Sequence, residues 1–170
     1  MSMKAITVSD TNIFLDLISV NLLAEFFAQP CEIHTSDFVL NEISRQSQKE
    51  TVRAFVAAQK LTVAQFGFSE LSEIAELQKN CGTNASFIDC SVWHYAKKIG
   101  ARLLTGDSKL RRAAEHDGVL VSGILYVFDS LIECGILEKP IAAKKLQELV
   151  DINPRLPRGE CQSRIDAWGK

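Results

Sequence analysis

Four acidic residues of this 170-residue chain stand close to the ends of strand-like or helical segments. Asp10 and Asp107 each follow a short apolar run, whereas Glu42 and Asp89 lie near the predicted starts of other helices. Aspartate is a favoured helix cap, and this role explains either Asp10 or Asp107 taken alone. Four carboxylates in one cleft, however, would repel one another unless a divalent cation neutralised their charge. Such a cluster is suited to Mg²⁺ or Mn²⁺, which hold phosphate oxygens and activate water.

The periodicity of apolar residues predicts the elements that position these acids. Strands are expected at residues 4–9, 32–35, 61–65, 102–105 and 118–121. Helices are expected at residues 12–28, 36–43, 49–60, 69–80, 86–98, 108–115, 124–134 and 142–150, with two helical turns within 153–170. This alternation predicts an α/β fold with a mostly parallel sheet and helices on both faces. Such sheets bind ligands at the carboxyl ends of their strands, and Asp10 and Asp107 follow two such ends.

Composition excludes several classes of protein. Hydrophobic residues make up 46% of the chain, and the formal net charge of −2 argues against a polybasic nucleic-acid binder. The sequence contains no signal-peptide core or membrane span, and its five scattered cysteines include no CxxC pair. The chain is therefore expected to be cytoplasmic, with reduced thiols. The sequence has no nucleotide-binding glycine loop, no HExxH and no GxSxG, and its three histidines are too far apart to suggest a metal site.

The acids occur within four stretches whose combination is far more specific than any one motif. The stretches are ITVSDTNIFLDL at residues 6–17, SDFVLNEI at 36–43, SFIDCSVWHYAKKIGARLLTGDSKL at 86–110 and GVLVSG at 118–123. With these stretches, the chain resembles PIN-domain ribonucleases, in particular the toxins of VapC-type toxin–antitoxin pairs. In that family an aspartate follows the first strand in a DTN-like motif, and an acid lies in an early helix. A further aspartate heads the helix before strand four, and a T-x-D motif follows that strand.

The resemblance implies a fold and a domain arrangement. PIN-like proteins have three α/β/α layers and a parallel five-stranded sheet of order 3-2-1-4-5, in which strands one and four are neighbours. Residues 1–170 are expected to form a single PIN-like domain, with a core at about 4–123 and a C-terminal extension of extra helices at about 124–170. The apolar faces of that extension are expected to pack on the core, with a dimer interface or an antitoxin groove as the second possibility.

The resemblance also implies the residues of the site. The acids of the family fall on Asp10, Glu42, Asp89 and Asp107, and its supporting polar residues on Asn12 and Thr105. We expect Asp10, Asp107 and then Asp89 to be direct ligands of one or two Mg²⁺ or Mn²⁺ ions. Glu42 is expected to bind metal directly or through water. Asn12 and Thr105 are expected to orient the carboxylates by hydrogen bonds.

Each of these residues also has an explanation that involves no active site. Asp89 fits the third residue of a helix capping box, and Glu42 fits an exposed helical acid. Asn12 and Thr105 fit polar groups that only satisfy the backbone of a turn. Asp16, which is close to the first motif, is predicted to be a helix-surface acid without a role in the site.

A short basic segment suggests how a substrate is held. Residues 97–112 contain six lysines or arginines and one aspartate, a local charge of +5. The residues expected to bind RNA phosphates directly follow the last acid of the site: Lys109, Arg111 and Arg112. Lys97 and Lys98 are equally well explained as a solvated helix face. Aromatic residues do not alternate with these cations as they do in RRM proteins, so structured RNA is the expected substrate.

These features predict a divalent-metal-dependent endoribonuclease that hydrolyses RNA phosphodiester bonds. The resemblance further implies the toxin of a toxin–antitoxin pair, a homodimer with a possible small antitoxin partner and no membrane association. The alternative is a catalytically inactive PIN-fold module that binds RNA or protein. A receiver-like phosphoacceptor domain also fits the sheet, but it requires paired acids after the first strand, where Asp10 stands alone.

Overall fold

A five-stranded parallel sheet places the four acids of the predicted site. In a computed structural model that describes residues 4–170, five parallel strands have the order β3-β2-β1-β4-β5. The strands are β1 (Ile6–Ser9), β2 (Glu32–Ser36), β3 (Leu61–Ala64), β4 (Arg102–Leu104) and β5 (Val121–Ser122). The predicted strand order is therefore confirmed. The first three residues of the predicted domain lie outside the described range.

Helices cover both faces of the sheet, which confirms the predicted three-layer α/β/α fold. In chain order they are α1 (Thr11–Ser19), α2 (Leu23–Phe27), α3 (Asp37–Glu42), α4 (Gln46–Ala57), α5 (Phe68–Asn80), α6 (Phe87–Ile99), α7 (Ser108–His116), α8 (Ile124–Glu133), α9 (Lys139–Ile152) and α10 (Arg158–Trp168). Within residues 4–170, none of these helices has the length and apolar character that crossing a bilayer requires.

The register brings the carboxyl ends of β1 and β4 side by side. Ser9 pairs with Leu104, and the Asp10 amide continues the ladder by donating to the Leu104 carbonyl over 2.9 Å. The Thr105 amide donates in turn to the Ser122 carbonyl of β5 over 3.0 Å. Consequently, the residues that directly follow β1 and β4 are neighbours at the point where the strand order reverses.

Because helices cover both faces, the central strands carry fully buried residues such as Val8 and Leu103. One large cluster of the core lies between α1 and α2, where Phe14, Phe26 and Phe27 pack with ring centroids 5.4–6.4 Å apart. This packing holds α1 against α2, and α1 begins at the site.

The predicted single helix over residues 12–28 is wrong. It is two helices, because the chain turns at Asn21, which has a φ of 54°. Asparagine tolerates this left-handed conformation better than most residues, and the Leu22 amide donates back to the Leu17 carbonyl over 2.9 Å. The turn allows α2 to fold back against α1, which an unbroken helix would prevent.

Other differences from the sequence expectations have similar local causes. β5 begins at Val121 rather than at 118, because Gly118, with a φ of 85°, forms the turn that ends α7. α4 spans Gln46–Ala57 rather than 49–60, because the chain turns at Gln59, which has a φ of 58°.

The end of the chain forms one helix, α10, where two separate turns were expected. Its Trp168 ring stacks on Phe128 of α8, with centroids 6.3 Å apart. Arg164 donates hydrogen bonds to both carboxylate oxygens of Asp129, also in α8. These contacts are made across more than thirty positions of sequence, so local periodicity alone does not reveal them.

Candidate active site

Asp10 lies at the centre of the site, directly after β1 and at the start of α1. Its side chain is only 3% exposed. One carboxylate oxygen accepts the Thr11 amide at 2.8 Å, as a helix cap does. The other accepts the Thr105 hydroxyl at 2.8 Å and the Asn12 amide nitrogen at 3.3 Å. Asp10 is thus both a helix cap and the hub of a polar network.

The environment of Asp10 disfavours its negative charge. Burial is the largest cause and raises the pKa of its carboxyl to about 7, although the hydrogen bond from Thr105 opposes this. The negative charges of Asp89 and Glu42 contribute to this raised pKa. A cation among these carboxylates would relieve both the burial cost and the repulsion.

Thr105 and Asn12 connect the acids through hydrogen bonds. The Thr105 hydroxyl, which donates to Asp10, also accepts the Asp107 amide over 3.1 Å. The Asn12 side-chain oxygen accepts the Gly106 amide at 2.9 Å. A Cβ at position 106 would lie 3.3 Å from this oxygen, so the close approach favours glycine. The ends of β1 and β4 are therefore bound to each other through side chains as well as through the sheet.

Asp107 caps α7, and one of its oxygens remains available. Its Oδ1 accepts the amides of both Lys109 and Leu110 at 2.8 Å. Its Oδ2 accepts no hydrogen bond from any group within residues 4–170. The cap fixes the carboxylate at the end of β4 and leaves this second oxygen for a ligand.

Asp89 is the third residue of α6 and completes a capping box with Ser86. The Ser86 amide donates to Asp89 Oδ2 over 2.8 Å, and the Asp89 amide donates to the Ser86 hydroxyl over 3.0 Å. Burial raises the pKa of the Asp89 carboxyl, the hydrogen bonds from Ser86 lower it, and the charges of Asp107 and Glu42 raise it. Asp89 therefore caps α6 and also lies close enough to the other acids to sense their charge.

Glu42 reaches the site from another direction. It is the last residue of the short helix α3, not near the start of a helix as the sequence pattern suggested. Its carboxylate accepts a hydrogen bond from the Thr11 hydroxyl at the start of α1. This contact ties the end of α3 to the residue that follows Asp10.

All four acids line one cavity of about 300 Å³. Its other lining residues are Thr11, Asn12, Leu15, Ile43, Ser44 and Gln48. Ser44 and Gln48 were not predicted from the sequence, in which no local pattern marks them. Among residues 4–170, no three His, Cys, Asp or Glu side chains lie close enough together to form a ready metal site. The donor set of hard oxygens nevertheless fits Mg²⁺ or Mn²⁺, since Asp10 is costly to ionise without a cation and Asp107 keeps a free oxygen.

A family model described as a PIN domain matches residues 6–170. The chain belongs to the PIN-domain family. This finding confirms the family suggested by the motifs. No curated protein sequence is significantly similar to this PIN domain.

Solved structures share the fold at low sequence identity. The crystal structure of PAE2754 from Pyrobaculum aerophilum is 14% identical, with a TM-score of 0.55, and covers 79% of this chain and 100% of its own. VapBC2 from Rickettsia felis, bound to a DNA fragment from its promoter, is 16% identical with a TM-score of 0.47, covering 69% of this chain and 98% of its own. FitAcB from Neisseria gonorrhoeae is 13% identical with a TM-score of 0.42, covering 71% and 99%. The likeness to PAE2754 shows a shared fold.

The three α7 cations that were expected to bind phosphate do not all face the same cavity of this PIN domain. Lys109 and Arg112 line a second cavity, of about 410 Å³, together with residues 82–84 of the loop before α6. Arg111 does not join them: its guanidinium packs so closely over Gly123 that a Cβ there would lie 2.8 Å from Nη2. Of the three residues expected to bind phosphate, the structure brings two together.

The lysines at the end of α6 already have partners. Lys97 pairs with Asp117 at 2.7 Å, and Lys98 pairs with Glu70. Both pairs lie at the surface, where screening makes them weak. Two of the six cations of residues 97–112 are thus paired with acids from elsewhere in the chain, whereas Lys109 and Arg112 have no acidic partner within residues 4–170.

Proposed function

We propose that this PIN domain is a divalent-metal-dependent endoribonuclease that hydrolyses RNA phosphodiester bonds. One observation carries the proposal: acids from four separate elements line a single cavity at the carboxyl ends of β1 and β4. The raised pKa of Asp10 supports it, because a buried acid among other acids needs a counter-charge to ionise.

Each residue has a role in this proposal. Asp10, Asp89 and Asp107 hold one or two Mg²⁺ or Mn²⁺ ions, and Glu42 binds directly or through water. A bound ion of this kind lowers the pKa of its water and offsets charge on the phosphate. The hydrogen bonds of Thr105 and Asn12 fix the Asp10 carboxylate.

The cations hold the strand next to the cleaved bond. Lys109 and Arg112, in the turns of α7 that follow Asp107, bind phosphates beside the scissile one. Arg111 was expected to do the same, and its packing against Gly123 makes it the weakest candidate of the three.

Replacing Asp107 tests the activity. Asp107→Asn removes a charge while an amide oxygen can still cap α7, so folding is preserved and cleavage of RNA with Mg²⁺ or Mn²⁺ is lost. Asp151→Asn, an exposed acid of α9, is the matched control and retains wild-type cleavage. Full activity of Asp107→Asn, or no cleavage by the wild type across several classes of RNA, would contradict the proposal.

A second candidate is a PIN-fold module that binds RNA or protein without catalysis. The absence of a ready three-residue metal site in the described part of the chain favours it. Calorimetry with Mn²⁺ separates the two functions: micromolar or millimolar binding that Asp107→Asn weakens supports the nuclease. No heat of binding under conditions in which the protein is folded supports the non-catalytic module.

The toxin role is a narrower proposal that comes from the motif resemblance. It includes a small antitoxin partner, a homodimer, a cytoplasmic location and one domain over residues 1–170. Expression of the chain in a bacterial host should arrest growth, and co-expression of a small protein from the adjacent reading frame should restore it. Arrest that persists in Asp107→Asn would not come from RNA cleavage.

A further inference from the structure

A basic surface adjoins the acidic cavity on the side of α4. Residues 42–44 and Gln48 form the part of the cavity wall that comes from the corner between α3 and α4. Arg45 and Lys49 each follow one of these wall residues directly. The cavity wall and the next two cations are thus adjacent along the chain.

Three positively charged residues are spaced four positions apart, the first at the N-cap of α4 and the other two within α4. Arg45, Lys49 and Arg53 therefore lie along one side of α4, over a length of about 12 Å. Arg45 and Arg53 are exposed, and Lys49 is half-buried with its ammonium 3.5 Å from the Asn41 carbonyl. None of the three has an acidic partner among residues 4–170, in contrast to Lys97 and Lys98.

The sheet order fixes where this surface lies. β2 and β4 pair with β1 on opposite sides, α3 and α4 follow β2, and α7 follows β4. The corner between α3 and α4 and the start of α7 therefore flank Asp10 from opposite sides of the central strand. Cations adjoin the acids on both flanks: Arg45 and Lys49 on one, and Lys109 and Arg112 on the other.

We propose that Arg45, Lys49 and Arg53 form a second phosphate-binding surface, the α4 strip, which holds the RNA strand on the β2 side of the cleavage site. This inference rests on the proposed nuclease function. An RNA strand would run from the α4 strip, across the acids, to Lys109 and Arg112, so that phosphates on both sides of the cleaved bond are held.

The composition of α4 favours RNA over a protein partner. The exposed residues interspersed with the strip are polar, except for alanines: Gln46, Ser47, Glu50, Thr51, Ala54 and Ala57. The one apolar residue of α4 that is fully buried, Val52, faces the core. An amphipathic protein segment would need an exposed apolar anchor, whereas a phosphate backbone needs only spaced positive charge.

The proposal is tested by measuring the affinity for RNA in EDTA, which removes divalent metal and so prevents cleavage. A fluorescent single-stranded RNA of about 12 nucleotides is titrated in EDTA against the wild type and against R45Q/K49Q/R53Q at several salt concentrations. The triple variant should bind at least about 10-fold more weakly, and its log–log salt slope should fall by about 2, since each lost contact removes about 0.7. Arg45 makes no side-chain cap bond, so its replacement leaves the helix start intact.

A matched variant controls for net charge. K139Q/K144Q/R158Q removes three exposed cations from α9 and α10, away from the residues that line the cavity, and should leave affinity and slope unchanged. Equal circular dichroism and thermal midpoints show that both variants fold.

The possible results distinguish a failure of the α4 strip proposal from a failure of the nuclease proposal. If the wild type cleaves RNA but R45Q/K49Q/R53Q equals it in affinity and salt slope, the α4 strip does not bind RNA and the nuclease function stands. The α4 strip is equally overturned as an RNA site if that variant instead loses binding to an acidic protein. If affinity depends on the strip but the wild type cleaves no RNA with Mn²⁺, the strip stands and the nuclease function fails.

Discussion

The two aspartates of the β1–α1 segment respond similarly to burial but have different neighbours. Asp10 caps the start of α1, and Asp16 lies near its end, where both of its oxygens accept hydrogen bonds from Asn153 at 3.1 and 3.3 Å. Burial is the largest cause of a raised pKa at both, to about 7 for Asp10 and about 6 for Asp16. The difference lies in the nearby charges: Asp89 and Glu42 raise the pKa of Asp10, whereas no charged group contributes at Asp16.

This difference separates the proposed metal site from a contact that holds two segments of the chain together. A buried acid whose neighbours are other acids keeps an unmet need for positive charge, which a metal ion can supply. At Asp16 burial raises the pKa without any carboxylate adding to it, and the hydrogen bonds from Asn153 lower it. In the proposed nuclease Asp10 is therefore the metal ligand of the two, whereas Asp16 attaches the segment after α9 to α1.

The largest expected effect is on RNA cleavage, which replacement of Asp10 should reduce far more than replacement of Asp16. Asp10→Asn should lower RNA cleavage by roughly 1,000-fold or more, because several kcal/mol of transition-state stabilisation depend on bound metal. Asp16→Asn should stay within about threefold of the wild type, since its side chain serves only the contact with Asn153. Cleavage rates with saturating Mn²⁺ measure both. Equal losses of cleavage in the two variants would contradict a metal-binding role that Asp10 has and Asp16 lacks.

The sequence revealed Asp10 and Asp107 because their signal is local. Each follows an apolar strand and precedes a helical pattern, so strand ends and caps could be located without any long-range contact. The neighbouring positions of β1 and β4 came from the family resemblance, because periodicity predicts a parallel sheet but not its strand order.

The predicted surface position of Asp16 is wrong, because its signal is not local: the side chain is half-buried under a distant segment, although it lies outside the acidic cavity as expected. Its place in α1 is typical of a surface acid, and its partner Asn153 is 137 positions away. Nothing within a helical turn of Asp16 indicates that a distant segment covers it. The same limit applies to Ser44 and Gln48, which line the cavity only because the corner between α3 and α4 faces Asp10.

A smaller effect appears in the pH dependence of the metal-free protein. Both pKa values are raised on folding, so each carboxyl contributes stability that is fully present below pH about 4 and is lost as pH rises. The loss continues through pH 7 for Asp10 but ends near pH 6 for Asp16. In EDTA, the thermal midpoint of the wild type should therefore fall relative to Asp10→Asn across pH 4–8. The fall relative to Asp16→Asn should be smaller and should end at a lower pH. Parallel curves for the wild type and Asp10→Asn would contradict the raised pKa of Asp10.

The smallest effect concerns the contact of Asp16 itself. Asn153→Ala removes its hydrogen-bond donor, which should destabilise the fold by about 1–2 kcal/mol and leave RNA cleavage unchanged. Asn80→Ala is the matched control, because the Asn80 amide is exposed and donates only to Glu76 on the same helix. In an Asp16→Ala background the cost of Asn153→Ala should fall by the part due to Asp16, leaving the part due to the Arg155 amide, which donates to Asn153 Oδ1 over 3.0 Å. A loss of cleavage in Asn153→Ala would instead mean that this end of α1 communicates with the acids at its other end.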